Sequence, residues 1–194
     1  MKKLSLFVFV SFLLSSSWVS IDSNVPRPYD KDIISANESE TVIHFSLRGY
    51  SLETVKTPNG DAYKVGTLLG ASLLELGSPD LQKLSVSLKI PNNKHMSTKV
   101  ISSDYIELEN IIVAPSKGNL LRTVNPDEIE YSWNEIYNRN QFFPGKLSDL
   151  NTPYILRDFR GQAASVYPFQ YNPITRTLRI YTDIIISVTA DGPG

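Results

Sequence analysis

Few residues in this chain could carry out bond chemistry, and none of them fall into a catalytic pattern. There are two histidines, His44 and His95, and no cysteine. Thiolate nucleophiles, thiolate metal sites and disulfides are therefore excluded. His44 alternates with apolar residues in Val42-Ile43-His44-Phe45, which suits a satisfied position in a sheet, and His95 stands in a polar turn. Asp80, Asp104, Glu107 and Glu109 lie near turns and strand ends without the spacing of a metal site or an acid–base pair. No Gly-x-Ser-x-Gly elbow, phosphate-binding loop, dinucleotide fingerprint or His-Glu-x-x-His helix occurs. The segment with most to offer is Asn110 to Asn125. There a short apolar run, Ile111-Ile112-Val113, enters Ala114-Pro115-Ser116-Lys117-Gly118 and then Asn119-Leu120-Leu121-Arg122-Thr123-Val124. Pro115 should end strand pairing and Gly118 allows a sharp redirection. A loop holding two leucines, a valine and one arginine fits a contact surface. It fits equally an ordinary connection whose leucines fold back over the core, and taken alone the stretch favours that plainer reading.

The elements around this segment are those of one secreted β domain. The chain has 194 residues, 41% of them hydrophobic, with ten Tyr and eight Phe, enough for a core without covalent staples. A net charge of −1 gives no basic footprint for nucleic acid. Lys2 and Lys3 precede an apolar run, 4–14, too short to span a bilayer and followed by Ser15-Ser16-Ser17. This has the form of a signal peptide over residues 1–22, cut between Ser17 and Asn24, with the domain occupying 23–194. Nothing after it approaches transmembrane length, so no membrane contact is expected once the signal is removed.

Strands are expected at Thr41 to Leu47, Leu52 to Lys56, Ala62 to Val65, Lys83 to Ile90, Thr98 to Ser102, Tyr105 to Leu108, Ile111 to Val113, Tyr154 to Arg157, Ala163 to Phe169 and Thr177 to Thr189. An Asn59-Gly60 turn is expected to close the first hairpin. Thr67 to Leu76 is left as a turn of helix or irregular packing. Leu84, Val86, Leu88, Leu178, Ile180, Ile184, Ile186 and Val188 form the expected core. Asn125 could cap a short helix beginning at Pro126, although the aromatic content that follows also suits a long packed loop. Many short strands at even spacing predict an all-β antiparallel sandwich of jelly-roll type, with one long loop region that could contain a short helix.

Three long strings resemble the prodomain of the gingipains, secreted cysteine endopeptidases of Bacteroidetes. They are Ile112 to Gly118 with Arg122 and Asn125-Pro126 after it, Phe142-Phe143-Pro144-Gly145 with Tyr154 to Gln162, and Gln170 to Thr182. Their order and separations agree as well. The resemblance covers about Thr41 to Val188 and is closest to the arginine-specific members. It implies a non-catalytic β-sandwich that keeps its peptidase latent and assists its folding, in cis or in trans. It also implies a loop entering the active-site cleft with Arg122 in the specificity pocket. Leu120 and Leu121 would line adjoining subsites, with Lys117 and Thr123 completing the contact. No cofactor is implied. A guanidinium suits a pocket carboxylate because it presents a rigid fork of donors. With the resemblance in hand, the plainer reading of the loop gives way to the inhibitory one.

Several expectations follow. The chain should act outside the cytoplasm, in the periplasm or at the surface of a Gram-negative cell. Gln82 replaces a proline usual in these prodomains and should loosen its corner. Arg139 is a second cation near the loop, and Tyr131, Trp133, Phe142 and Phe143 are candidate aromatic anchors as well as candidate core residues. Since the peptidase itself is not part of the sequence, the chain is either the front of a gingipain-like or sortase-like zymogen or a free-standing prodomain. A secreted adhesion or carbohydrate-binding sandwich is the competing reading.

Overall fold

The computed structural model describes residues 16–22 and 27–193. The expected signal segment lies mostly outside them. In chain order the strands are β1 (Ser16–Ser20), β2 (Tyr29–Ala36), β3 (Glu40–Leu47), β4 (Gly49–Thr57), β5 (Gly60–Gly66), β6 (Ala71–Ser72) and β7 (Gln82–Lys89). There follow β8 (Lys94–Leu108), β9 (Ser148–Leu150), β10 (Tyr154–Leu156), β11 (Phe159–Val166), β12 (Phe169–Asn172) and β13 (Thr177–Pro193). Among the described residues every strand ladder is antiparallel, and two short 3₁₀ turns, Pro126–Glu128 and Glu135–Asn138, are the helical elements. The expected short helix is therefore a 3₁₀ turn. Asn125 does cap it, accepting a hydrogen bond from the Asp127 N–H at 3.1 Å.

One sheet has β3 and β12 along one edge of β13, with β2 beyond β3 and β8 along the other edge. A second has β7 between β11 and β6, with β9 and β10 on β11. Alternation in β13 sends Leu178, Ile180, Ile184, Ile186 and Val188 inward, all essentially inaccessible to solvent. Each such side chain contributes about 2 kcal/mol of burial. Ile184, Ile186 and Val188 meet Leu84 and Leu88 of β7 and Ala164 and Val166 of β11, which makes the two sheets a sandwich. The other end of the core gathers Leu178, Ile180, Phe169 and Tyr171 with Tyr50, Val65 and Leu81. The β4–β5 hairpin, with β1 on its outer side, covers that end.

Some expectations are corrected. Thr98 to Ser102 and Tyr105 to Leu108 are a single 15-residue strand, β8, which absorbs the irregularity as bulges against β13. His95 lies on that strand, exposed, and not in a turn. The β4–β5 turn has Pro58 and Asn59 at its corners, with Gly60 paired to Thr57. Proline's fixed negative φ rules out the positive-φ corner assumed for Asn-Gly, and the turn closes one residue early. Ile111–Val113 forms no ladder strand; Val113 and Pro115 make isolated bridges to Tyr63 and Pro79. Gln82 does not loosen its corner. Its side-chain oxygen accepts from the Thr67 N–H at 2.8 Å, and its amide lies against Gly66 and Gly70, where no Cβ would fit.

Two pairings outside the core carry testable consequences. His44 Nε2 lies 2.9 Å from Asp183 Oδ1, which also accepts from Ser46 Oγ at 2.8 Å. Burial alone would raise the Asp183 carboxyl, but the hydrogen bonds from Ser46, His44 and Thr182 outweigh it and hold the group below the usual range. A folded pKa below the unfolded value contributes stability that is present above about pH 4 and lost as pH falls through the folded value. The urea midpoint should therefore fall more between pH 6 and pH 3 in the wild-type chain than in Asp183→Asn. Equal slopes would show that Asp183 has no part in acid stability.

Arg160 Nη1 reaches the carbonyls of Pro91, Asn92 and Lys94 at 3.1, 3.1 and 2.8 Å, closing the β7–β8 turn. One nitrogen has two hydrogens, so about two of the three bonds count at any moment. Arg160→Ala should cost about 2 kcal/mol in denaturant unfolding, the scale of charge-assisted hydrogen bonds. A loss within error of zero would make this a solvated surface contact.

Candidate functional site

The segment singled out in the sequence is a rigid stem carrying an exposed tip. Its stem is stitched to neighbours by backbone groups. Tyr63 N donates to Ile112 O and Ala114 N to Tyr63 O, each at 2.8 Å. Asp80 N donates to Ala114 O at 2.8 Å, Ser116 N to Ser78 O at 2.7 Å, and Gly77 N to Ser116 O at 2.9 Å. Val113, Ala114, Pro115 and Ser116 are buried. Two tyrosines from later in the chain satisfy stem carbonyls: Tyr137 Oη donates to Val113 O at 2.9 Å and Tyr171 Oη to Ile111 O at 3.0 Å. Burial pushes the Tyr137 phenol far above its ordinary range, so it stays a donor throughout the accessible pH range. Pro115 lacks an N–H and fits where no donor is required.

Beyond the stem, Gly118 turns with φ +78°. The tip then closes a turn in which Val124 N donates to Leu121 O at 3.0 Å, so Arg122 and Thr123 stand at its corners. Arg122 and Thr123 are exposed, Leu121 is 75% exposed and Leu120 is half-buried. Arg122 has no ion pair or side-chain hydrogen bond among the described residues. At the tip Leu121, Arg122 and Thr123 thus face solvent, while Leu120 is partly covered.

Lys117 is placed differently. Its Nζ donates to Pro126 O at 2.7 Å and lies 4.3 Å from the centre of the Tyr131 ring, at the base of the loop. The other candidates have local roles. Arg139 pairs with Glu135. Phe143 is core, Phe142 stacks under Arg179 at 4.0 Å, Trp133 meets Tyr137 edge-on at 6.5 Å, and Tyr131 carries Lys117. Missed by the sequence reading were Gly77, Ser78 and Asn134. Asn134 N donates to Gly77 O at 3.0 Å and its side-chain amide to Ser78 Oγ at 2.7 Å. No cluster of three or more His, Asp or Glu side chains among the described residues could hold a metal ion. The arrangement presents a cation on a preorganised support. It has no reacting group of its own.

Comparison with known proteins shows the family to which the chain belongs. The profile of the Propeptide_C25 family matches residues 25–194. Gingipain R1 of Porphyromonas gingivalis is 38% identical over 193 residues, covering 97% of this chain and 20% of that protein. Gingipain R2 of the same species is 40% identical over 157 residues, covering 81% and 21%. The chain therefore spans about a fifth of the length of the curated relatives it matches. The solved complex of the Porphyromonas gingivalis RgpB pro- and mature domains contains a chain that superposes with a TM-score of 0.81 at 39% identity, covering 84% of this chain and 87% of that one. A structure bearing on the zymogenic latency of gingipain K shares the fold, with a TM-score of 0.75 at 19% identity over 92% of this chain and all of that one. The chain belongs to the C25 propeptide family of the gingipains.

Proposed function

We propose that this chain is the latency domain of an exported, arginine-specific gingipain-type cysteine peptidase, and that the 116–125 loop occupies the active-site cleft with Arg122 in the specificity pocket. The observation that carries the proposal is the contrast within one segment: a stem buried from Val113 to Ser116 and tied to its neighbours by backbone hydrogen bonds holds an exposed arginine that has no partner among the described residues. Its kinship with a prodomain solved in complex with the mature domain of RgpB supports the choice of partner. Leu120, Leu121 and Thr123 flank Arg122 and fill neighbouring subsites. The signal-like segment at 1–22 and the kinship with gingipains of a Gram-negative species support export to the periplasm or cell surface, with a mature domain from about residue 23 that leaves β1 behind and keeps the β4–β5 hairpin as the cover.

Occupancy without rapid cleavage follows from the turn. Peptide hydrolysis needs the scissile carbonyl aligned with the nucleophile at near-attack distance. The Leu121–Val124 hydrogen bond bends the chain across the Arg122–Thr123 bond, and the stem resists its straightening. Burying Leu121 and the Arg122 stem on binding supplies affinity that a cut would not increase. The same preorganised surface gives the peptidase a template on which to fold.

Titrating the mature domain of RgpB with the purified chain tests the proposal. Hydrolysis of an arginyl substrate should fall to near zero at a one-to-one ratio. Full activity in large excess of the chain would overturn it.

A further inference from the structure

We infer that Lys117 is a positioning residue which closes the base of the loop, and that it shapes the Arg122 turn without contacting the peptidase. This rests on the inhibitory reading of the loop. Lys117 leaves the stem one residue after the last buried position, Ser116, and its ammonium spans to the returning chain. The acceptor there is well fixed. Asn125 caps the Pro126–Glu128 turn through its side-chain oxygen, and its amide donates to Glu128 Oε1 at 3.1 Å. Pro126 O, accepting also from Ile129 N at 3.3 Å, is thereby held toward Lys117. Under the ammonium lies the Tyr131 ring, which itself packs on the buried cluster of Val55, Ala62 and Ala114.

The ammonium thus has two partners on the far side of the loop, one a fixed carbonyl and one a ring seated on the core. It closes the ten residues from Lys117 to Pro126 into a ring whose ends are tied at a set separation. Shortening the free span of a loop reduces the number of conformations available to its tip. A preorganised tip binds more tightly because less order is lost on docking. The side chain also lines a groove with Glu53, Lys64 and Asp127 to which residues 120–124 of the tip do not contribute, which leaves it poorly placed to reach a partner seated on Arg122.

The test uses the full chain with Lys117→Met, Lys117→Arg, Tyr131→Leu and the Lys117→Met/Tyr131→Leu double variant. One measurement is the rate at which trypsin cuts the Arg122–Thr123 bond under native conditions, followed by mass; it reports how often the tip opens and needs no gingipain. The other is the inhibition constant against the mature domain of RgpB. Lys117→Met and Tyr131→Leu should each speed the cut and weaken inhibition by about tenfold, and the double variant should add little to either. Lys117→Arg, which keeps a charged donor over the ring, should stay near wild type in both. Weakened inhibition by Lys117→Met with an unchanged cutting rate would make Lys117 a direct peptidase contact and overturn the inference, as would additive effects in the double variant. Should the wild-type chain fail to inhibit RgpB, the inhibitory reading falls, while the cutting rates still decide whether the clamp exists.

Discussion

Arg122→Ala should abolish most of the inhibition of an arginine-specific gingipain while leaving the prodomain as stable as before. In the free chain Arg122 is exposed at a turn corner without an ion pair among the described residues, so removing it should alter unfolding by no more than about 0.5 kcal/mol. In the complex the guanidinium would fill a pocket built for arginine, desolvated and paired with a carboxylate. Truncation there leaves a buried anion unpaired, which costs about 3 kcal/mol or more. That is a factor of about 150 in the inhibition constant. Arg122→Lys should fall between the two, since an ammonium keeps the charge and loses the planar two-pronged geometry. The control is built in: a variant that unfolds at the wild-type midpoint and no longer inhibits separates contact from folding. If Arg122→Ala inhibited as well as wild type, Leu120 and Leu121 would have to carry the binding and the pocket-filling role would be lost.

The parts of this molecule legible in the sequence are those where physics repeats with a short period. β3, β7 and β13 each bury one face and expose the other, so Ile43 and Phe45, Leu84 and Leu88, and Leu178 to Val188 announced themselves by alternation. The all-β sandwich followed from them. What alternation does not encode was misplaced. Pro58 set the hairpin turn through its own φ, and β8 hid its continuity behind bulges that shift the phase of the pattern. The loop shows the same division. Asn125 and Pro126 signalled a helical cap locally and formed one. Arg122, a lone cation among polar and apolar neighbours, has no periodicity, and its role came from resemblance and not from spacing. Lys117 is near the tip in sequence, whereas its contacts within the chain, at Pro126 and Tyr131, are defined by where the chain returns. The segments that grip the stem, around Gly77 and Asn134, bind it through backbone groups, which every residue has and no side-chain pattern reveals.

That grip makes Gly77 the position where the smallest change should do the most damage to the fold. Its N–H donates to Ser116 O at 2.9 Å and its carbonyl accepts from Asn134 N at 3.0 Å, so one residue joins three segments. Its φ of +76° costs any L-residue about 1–2 kcal/mol. A Cβ there would lie 3.0 Å from the Asn134 backbone nitrogen and 3.2 Å from its Cβ, atoms that cannot swing aside as the end of a long side chain could. Displacing that backbone adds about 1–3 kcal/mol, so Gly77→Ala should lose about 2–5 kcal/mol in all. Gly60 supplies the comparison: its φ is +106°, but nothing lies within 4 Å of the Cβ position. Gly60→Ala should therefore show the backbone cost alone, measured in the same urea series. The two variants should differ in function as well. Gly60 sits at a hairpin tip, and its substitution should leave the inhibition constant unchanged. Shifting Gly77 pulls on Ser116, the last fixed residue before the loop, so the part of Gly77→Ala that remains folded should inhibit more weakly. Equal stability losses in the two variants would mean that the Gly77–Asn134 junction yields easily. The stem would then be a soft support, and the tight seating of Arg122 would have to come from the peptidase.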